Sequence, residues 1–181
     1  MDMSRQVALL RGVNVGGRNM VSMAGLRELL EGLGFEDVKT HLQSGNVVYT
    51  SGESPDKAAA EIQAALARDL GVDVPVLART GTQLGEILKA DPLGDVADDH
   101  ALYLVTFLSG KPESKPIKEL DPDVFKPDVF KQVGKEIYVW CPNGVRNTKL
   151  SYSFWEKKLG LTATARNWKT VTKLHELAIA S

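Results

Sequence analysis

Between Gln6 and Ala78 the chain reads strand, helix, strand, strand, helix, strand, and this order leaves few folds open. "QVALLRG" (Gln6–Gly12) is short, apolar and closed by turn residues, as a buried strand is. Ser22 is placed to cap a helix in which Met23, Leu26, Leu29, Leu30 and Leu33 fall at helical spacing until "GLGF" stops it. "VKTHLQSGNVVYT" (Val38–Thr50) reads as a hairpin turning at Ser44, Gly45 and Asn46, where Gly-Asn offers the positive φ of a tight turn. Ser54-Pro55 opens a second helix with an inner stripe of Ile62, Leu66 and Leu70, Gly71 ends it, and "VDVPVLA" supplies a fourth strand.

The same order recurs. "ALYLVTFLS" is a strand, "ESKPIKEL" a short helix despite Pro116, and "DVFKQVGKEIYVWC" (Asp128–Cys141) a hairpin turning at Gly134-Lys135. A helix over Lys149–Leu159, a strand around Leu161–Ala165 and a last helix carrying Val171, Leu174 and Leu177 complete the chain. The two hairpins, from Val38 and Asp128, start 90 residues apart, and the last strands, from Val74 and Leu161, start 87 apart. Individual residues show no repeat, so the expectation is a duplicated architecture, α+β with antiparallel sheets. A Gly- and Asp-rich connector, Thr80–Asp99, puts the division near residue 95: a half over 1–95 with a connector helix, and a half over 96–181 with a C-terminal helix.

A βαββαβ chain with right-handed crossovers sets its second strand parallel to its first, with the third between them in the opposite sense. The C-terminal ends of the first two strands then share one edge. That edge gathers Arg11, Asn14, Gly16, Gly17, Arg18 and Asn19 from the loop after the first strand, and Gln43, Ser44, Gly45 and Asn46 from the hairpin. By the same argument "CPNGVRNTK" and "ARNWKT" end on one edge of the second half, grouping Arg146, Asn147 and Lys149 with Arg166, Asn167, Trp168 and Thr170.

The first loop is not a P-loop. Gly12 and Gly17 stand at the spacing of G-x-x-x-x-G-K-[ST], but Arg18 and Asn19 replace the lysine and the metal-binding hydroxyl, and the helix starts only at Ser22. Two readings remain: Gly16-Gly17 forms a wide turn with solvated polar neighbours, or the loop is a nest of backbone N–H groups with Arg11 or Arg18 as counter-charge to a phosphate or carboxylate. In the second cluster, Arg166, Asn167 and Trp168 combine an anion donor, an amide reader and a stacking surface, the parts of a nucleotide or single-stranded RNA site. They also read as a core tryptophan beside a helix cap supplied by Asn167 or Thr170.

Composition narrows the classes. Lys plus Arg number 22 against 23 Asp plus Glu, so no global field advertises nucleic acid or a membrane. Locally the balance shifts: Arg146–Lys173 holds seven basic residues against Glu156 alone, whereas residues 29–145 hold 11 basic and 19 acidic. The single cysteine, Cys141, excludes an internal disulfide and suits a reducing, cytoplasmic compartment. No stretch approaches the ~18 apolar residues of a membrane span, and "MDMSRQ" lacks the basic start and apolar core of a signal peptide. His41, His100 and His175 are scattered without carboxylates spaced to join them, so neither a metal nor a cofactor is expected. Neither G-x-S-x-G, H-E-x-x-H nor C-x-x-C occurs.

"ALLRGVNVGGRN", "LRELLEGLGFEDVKT", "QSGNVVY", "VTFL", "KL" at Lys149-Leu150 and "TARNWKTVTKL" occur in that order along nearly the whole chain, and in them it resembles a bacterial family catalogued as domain of unknown function 1697. "GVRNTKL" departs from that family's Gly-Arg-Ser-Lys type sequence, with Asn147 and Thr148 keeping the polarity. The resemblance implies two ferredoxin-like α+β halves, and no established activity, substrate or cofactor. The functional expectation is therefore a cytoplasmic protein that binds an anionic ligand through its polar loop edges, either a nucleotide or phosphate-bearing metabolite or a single-stranded nucleic acid. An enzyme acting on a phosphorylated or carboxylate substrate and a protein-interaction module are the alternatives, and oligomeric state is left open.

Overall fold

The computed structural model describes residues 3–180. The first sheet is built from β1 (Ser4–Leu10), β2 (Glu36–His41), β3 (Asn46–Ser51) and β4 (Val76–Thr80), in the order β2-β3-β1-β4. Every neighbouring pair is antiparallel. Helices α1 (Met23–Gly32) and α2 (Pro55–Leu70) make the two crossovers. The local signals for these helices act as expected: Ser22 accepts from the Gly25 N–H, Ser54 from the Lys57 N–H, and Gly71 closes α2 at φ 66°. Ala8, Leu10, Val47, Tyr49, Val76 and Ala78 face Leu26, Leu30, Ile62 and Leu66 in one core. Val7, Leu9, Val48 and Leu77, on the alternate positions, are buried too, which is why the central strand reads as an unbroken apolar run rather than an alternation.

β4 begins at Val76 rather than at Val72, and it runs on to Thr80. Pro75 has no N–H to give to a ladder, so pairing with β1 starts just after it, at Leu10↔Val76. There is no loop after β4. Thr80 and Gln83 cap each other, side chain to backbone N–H at 2.8 and 3.0 Å, and α3 (Gly81–Ala90) starts at once.

The second sheet repeats the plan with β5 (Tyr103–Leu108), β6 (Val129–Val133), β7 (Glu136–Trp140) and β8 (Ala163–Asn167), in the order β6-β7-β5-β8, again antiparallel throughout. Its crossovers differ in length: α4 (Ser114–Lys118) is a five-residue stub followed by a 3-10 turn at Pro122–Phe125, whereas α5 (Tyr152–Leu159) has eight residues.

 

The full span of α5 is Tyr152–Leu159, capped by Ser151 and closed by Gly160 at φ 67°. Leu104, Leu108, Ile137, Val139 and Ala163 pack against Trp155 in the core of this half. The chain ends in α6 (Trp168–Ile179), which follows β8 as directly as α3 follows β4. The fold is thus α+β, two four-stranded βαββαβ halves with a C-terminal helix.

Among the described residues, one compact unit joins residues 3–85 with 173–180, and a second holds Glu86–Thr172. The limits of these units fall within the spans of α3 and α6.

The strand registers also reveal a repeat between individual residues that the bare sequence hides. Arg79 pairs with Val7 of β1, and Arg166 pairs with Val105 of β5. Each arginine follows an alanine, is buried, and folds its Nη1 back onto that alanine's carbonyl, at 3.0 Å to Ala78 and 2.9 Å to Ala165. Each is followed by a capping residue, Thr80 or Asn167, that accepts from the N–H three positions on. The two halves therefore share Ala-Arg-cap at the strand-to-helix junction, while the rest of their sequences differ.

Candidate functional site

The edge expected from the topology is formed in the first half. Leu10 donates its N–H to the Gly45 carbonyl at 2.9 Å, so the hairpin turn lies directly against the end of β1. Gly45 is required there: at φ 87° it is in the left-handed region, and a Cβ would stand 2.6 Å from Val13 Cγ2 and 2.8 Å from Leu10 Cβ.

Beyond Val13 the loop is neither a wide turn nor a P-loop. Asn14 donates its N–H to the Asn19 carbonyl at 3.2 Å, Arg18 donates to Val15 at 3.0 Å, and Val15 and Arg18 form an isolated antiparallel bridge. Gly16 and Gly17, at φ 59° and 75°, form the tip, with positive φ at both central residues as in a I′ turn. A Cβ on either glycine would meet nothing within 4 Å, so this miniature hairpin projects into solvent.

One side chain ties the projection down. Asn14 Nδ2 donates to the carbonyls of Val21 at 2.9 Å and Gln43 at 2.6 Å, while its Oδ1 accepts from the Val21 N–H at 2.8 Å. Asn19 Nδ2 donates to Gly12 at 3.3 Å, and Asn46 Nδ2 to the His41 carbonyl at 2.8 Å and to Ser44 Oγ at 3.0 Å. Asn14 and Asn19 sit at φ 55° and 50°, a region asparagine tolerates better than most residues. Three of the amides put forward as ligand readers therefore bond within the edge and hold its shape. Gln43, Ser44 and Arg18 are exposed, Arg11 is half-buried, and among the described residues Arg18 pairs with no carboxylate. Neither Leu9–Leu26 nor Leu42–Asn46 contains an Asp or Glu.

The hairpin turn carries a residue that sequence reasoning missed. Leu42 lies at φ 62° and is exposed. A leucine in the left-handed region costs about 1–2 kcal/mol, and this one recovers little of it by burial. Val15 and Met20 in the miniature hairpin are exposed as well. Leu42 reads in sequence as the end of a strand, and only its backbone angle distinguishes it. Just before it, His41 has its imidazole pKa lowered, first by burial and then by the nearby Lys173 charge.

In the second half the expected juxtaposition of strand ends is also present, since Trp140 pairs with Tyr103 and Asn167 with Leu104 at one end of β5. The side chains separate into a buried set and an exposed one. Arg166 is buried and donates to Thr164 Oγ1 at 2.8 Å, and burial pushes its guanidinium down to about 10. Trp168 is buried and stacks on Tyr103 at 4.4 Å between ring centroids. Asn167 caps α6 by accepting from Thr170 at 2.9 Å, and Thr170 is itself buried. Arg146, Asn147 and Lys149 are exposed, with Asn147 Nδ2 donating to the Asn143 carbonyl at 2.7 Å. Cys141 is buried with its Sγ 3.2 Å from the Leu102 carbonyl, and burial pushes its thiol up to about 11, the reverse of what a nucleophile needs.

Among the described residues no group of three or more His, Cys, Asp or Glu is arranged to hold a metal ion. Among the described residues no helix is long and apolar enough to cross a membrane. Two clefts of about 220 and 230 Å³ flank α5 in the second half, one lined by Phe154, Lys157 and Lys158, the other including Lys111, Leu159 and Leu161.

A family model described as "Protein of unknown function (DUF1697)" matches residues 3–138. The chain belongs to this family. The part matched to DUF1697 includes the whole loop edge of the first half, and ends before Arg146 and the rest of the second cluster. No curated protein matches the chain. Among solved structures it is similar to a conserved bacterial protein from Streptococcus pneumoniae, with 23% identity over 98% of this chain and 99% of the other and a TM-score of 0.76, a likeness of fold.

Proposed function

We propose that this protein binds a small anionic ligand, a nucleotide or another phosphate-bearing metabolite, at the loop edge of its first half, with Arg18 supplying the charge and open backbone N–H groups at the glycine tip adding donors. The observation that carries the reading is the Asn14 staple. Its bonds to Val21 and Gln43 fix the two loops against each other before any ligand arrives, so little ordering cost remains for binding. The two loops they join carry Arg11 and Arg18 and no carboxylate.

Small anions are favoured over single-stranded nucleic acid because the aromatic that would stack on bases, Trp168, is packed on Tyr103 in the core. The reading takes the protein as cytoplasmic, which its one cysteine supports.

A thermal-shift screen of inorganic phosphate, nucleoside phosphates and carboxylates tests this, because a ligand that prefers the folded state raises its melting temperature. The expected result is a rise with a phosphate-bearing compound that Arg18→Ala removes. Absence of any rise, or a rise that Arg18→Ala leaves unchanged, would overturn the assignment.

A further inference from the structure

The loop edge carries an apolar element that a small anion does not explain. Val15, Met20 and Leu42 are 61%, 65% and 54% exposed. Each is the chain neighbour of a residue in the Asn14 staple: Val15 follows Asn14, Met20 precedes Val21, and Leu42 precedes Gln43. Three large exposed apolar residues thus each adjoin the staple in the chain, and Arg18 stands opposite Val15 in the miniature hairpin. Leu42 is held at a positive φ where asparagine or glycine would sit more easily, so neither backbone preference nor burial accounts for a leucine there.

We infer that the anion recognised at this edge arrives on a protein: the edge docks an acidic peptide segment whose apolar side chains lie next to its carboxylates. The inference rests on the anionic-ligand reading for its charge and adds the partner. Charge complementarity selects the occupant, because the exposed Arg18 pairs with no carboxylate among the described residues and neither Leu9–Leu26 nor Leu42–Asn46 holds an acidic residue. Shape agrees with it. The glycine tip has open space around it and projects, as a surface that enters a partner's groove does.

The test uses the full chain and three probes: a labelled peptide alternating leucine with glutamate and aspartate, the same peptide with alanine for leucine, and inorganic phosphate. Leu42→Asn is the decisive variant, since asparagine suits the backbone angle and the fold is kept. The leucine peptide is expected to bind about tenfold more tightly than the alanine peptide, and Leu42→Asn to abolish that preference while leaving any phosphate-induced thermal shift unchanged. Equal affinity for the two peptides would overturn the apolar contact and leave the anion reading standing. Failure of both peptides to bind would overturn the partner, and the Arg18-dependent phosphate shift then decides the anion reading by itself. Self-association in sedimentation that Leu42→Asn abolishes would overturn it too, by giving the edge to a second copy of the chain.

Discussion

The amide of Asn14 donates to the carbonyl of Gln43 at 2.6 Å, joining two loops 29 residues apart in the chain, and the same side chain both donates to and accepts from Val21. The miniature hairpin's own backbone hydrogen bonds, Asn14 to Asn19 and Arg18 to Val15, and the Asn19 bond to Gly12 do not reach the hairpin turn at Gln43.

Asn14→Ala is therefore expected to destabilise the protein by about 2–3 kcal/mol, because two carbonyls and one N–H lose their partner together. Asn14→Gly separates two causes. Glycine accepts the φ of 55° without strain, so a loss close to that of alanine assigns the effect to the hydrogen bonds, and a much smaller loss assigns it to the backbone. Urea unfolding of the three proteins measures both.

Two glycines at positive φ on this edge should respond very differently to alanine. At Gly45 the new methyl would stand 2.6 Å from Val13 Cγ2 in addition to the backbone strain, and about 3 kcal/mol or more should be lost. At Gly17 nothing lies within 4 Å, so only the strain of about 1 kcal/mol applies. Equal losses in equilibrium unfolding would contradict the packing of the hairpin turn on Val13 and Leu10.

The two cases also show what the sequence makes legible. Ser22, Ser54 and Gly71 carry their cap chemistry locally, so the helix ends are read where they stand. The order of elements then fixes the strand order, and with it the meeting of loop and hairpin turn. Gly16-Gly17 is different, since two glycines serve a wide turn and a tight hairpin equally well until the bridge between Val15 and Arg18 is seen. Asn14 has no signature as a staple because its partner Gln43 is distant in sequence. Trp168 is ambiguous for another reason: an indole fits a core and a stacking site alike, and only its contact with Tyr103 separates them. The repeat of Ala78-Arg79 at Ala165-Arg166 is too short to notice without the strand registers.

His41 predicts a pH dependence. Burial, followed by the Lys173 charge, lowers its pKa from the ordinary 6.5, so between 6.5 and the lower folded value the unfolded chain binds more protons than the folded one. Stability should then fall as pH drops through 6.5, and rise again to a plateau above it. His41→Gln should flatten this part of the profile, and Lys173→Ala should reduce it only in part because burial is the larger cause. Urea midpoints across this range, with an NMR titration of the His41 ring, check the sign; a folded-state pKa above 6.5 would contradict it.

Binding of an anion at the edge stapled by Asn14 is tested most directly by backbone NMR during a titration with inorganic phosphate and nucleoside phosphates. Amide shifts are expected to concentrate at Gly16, Gly17, Arg18 and Ser44, to saturate with ligand and to vanish in Arg18→Ala. Saturable shifts confined to Lys157 and Lys158 of α5, or none anywhere in the chain, would contradict it.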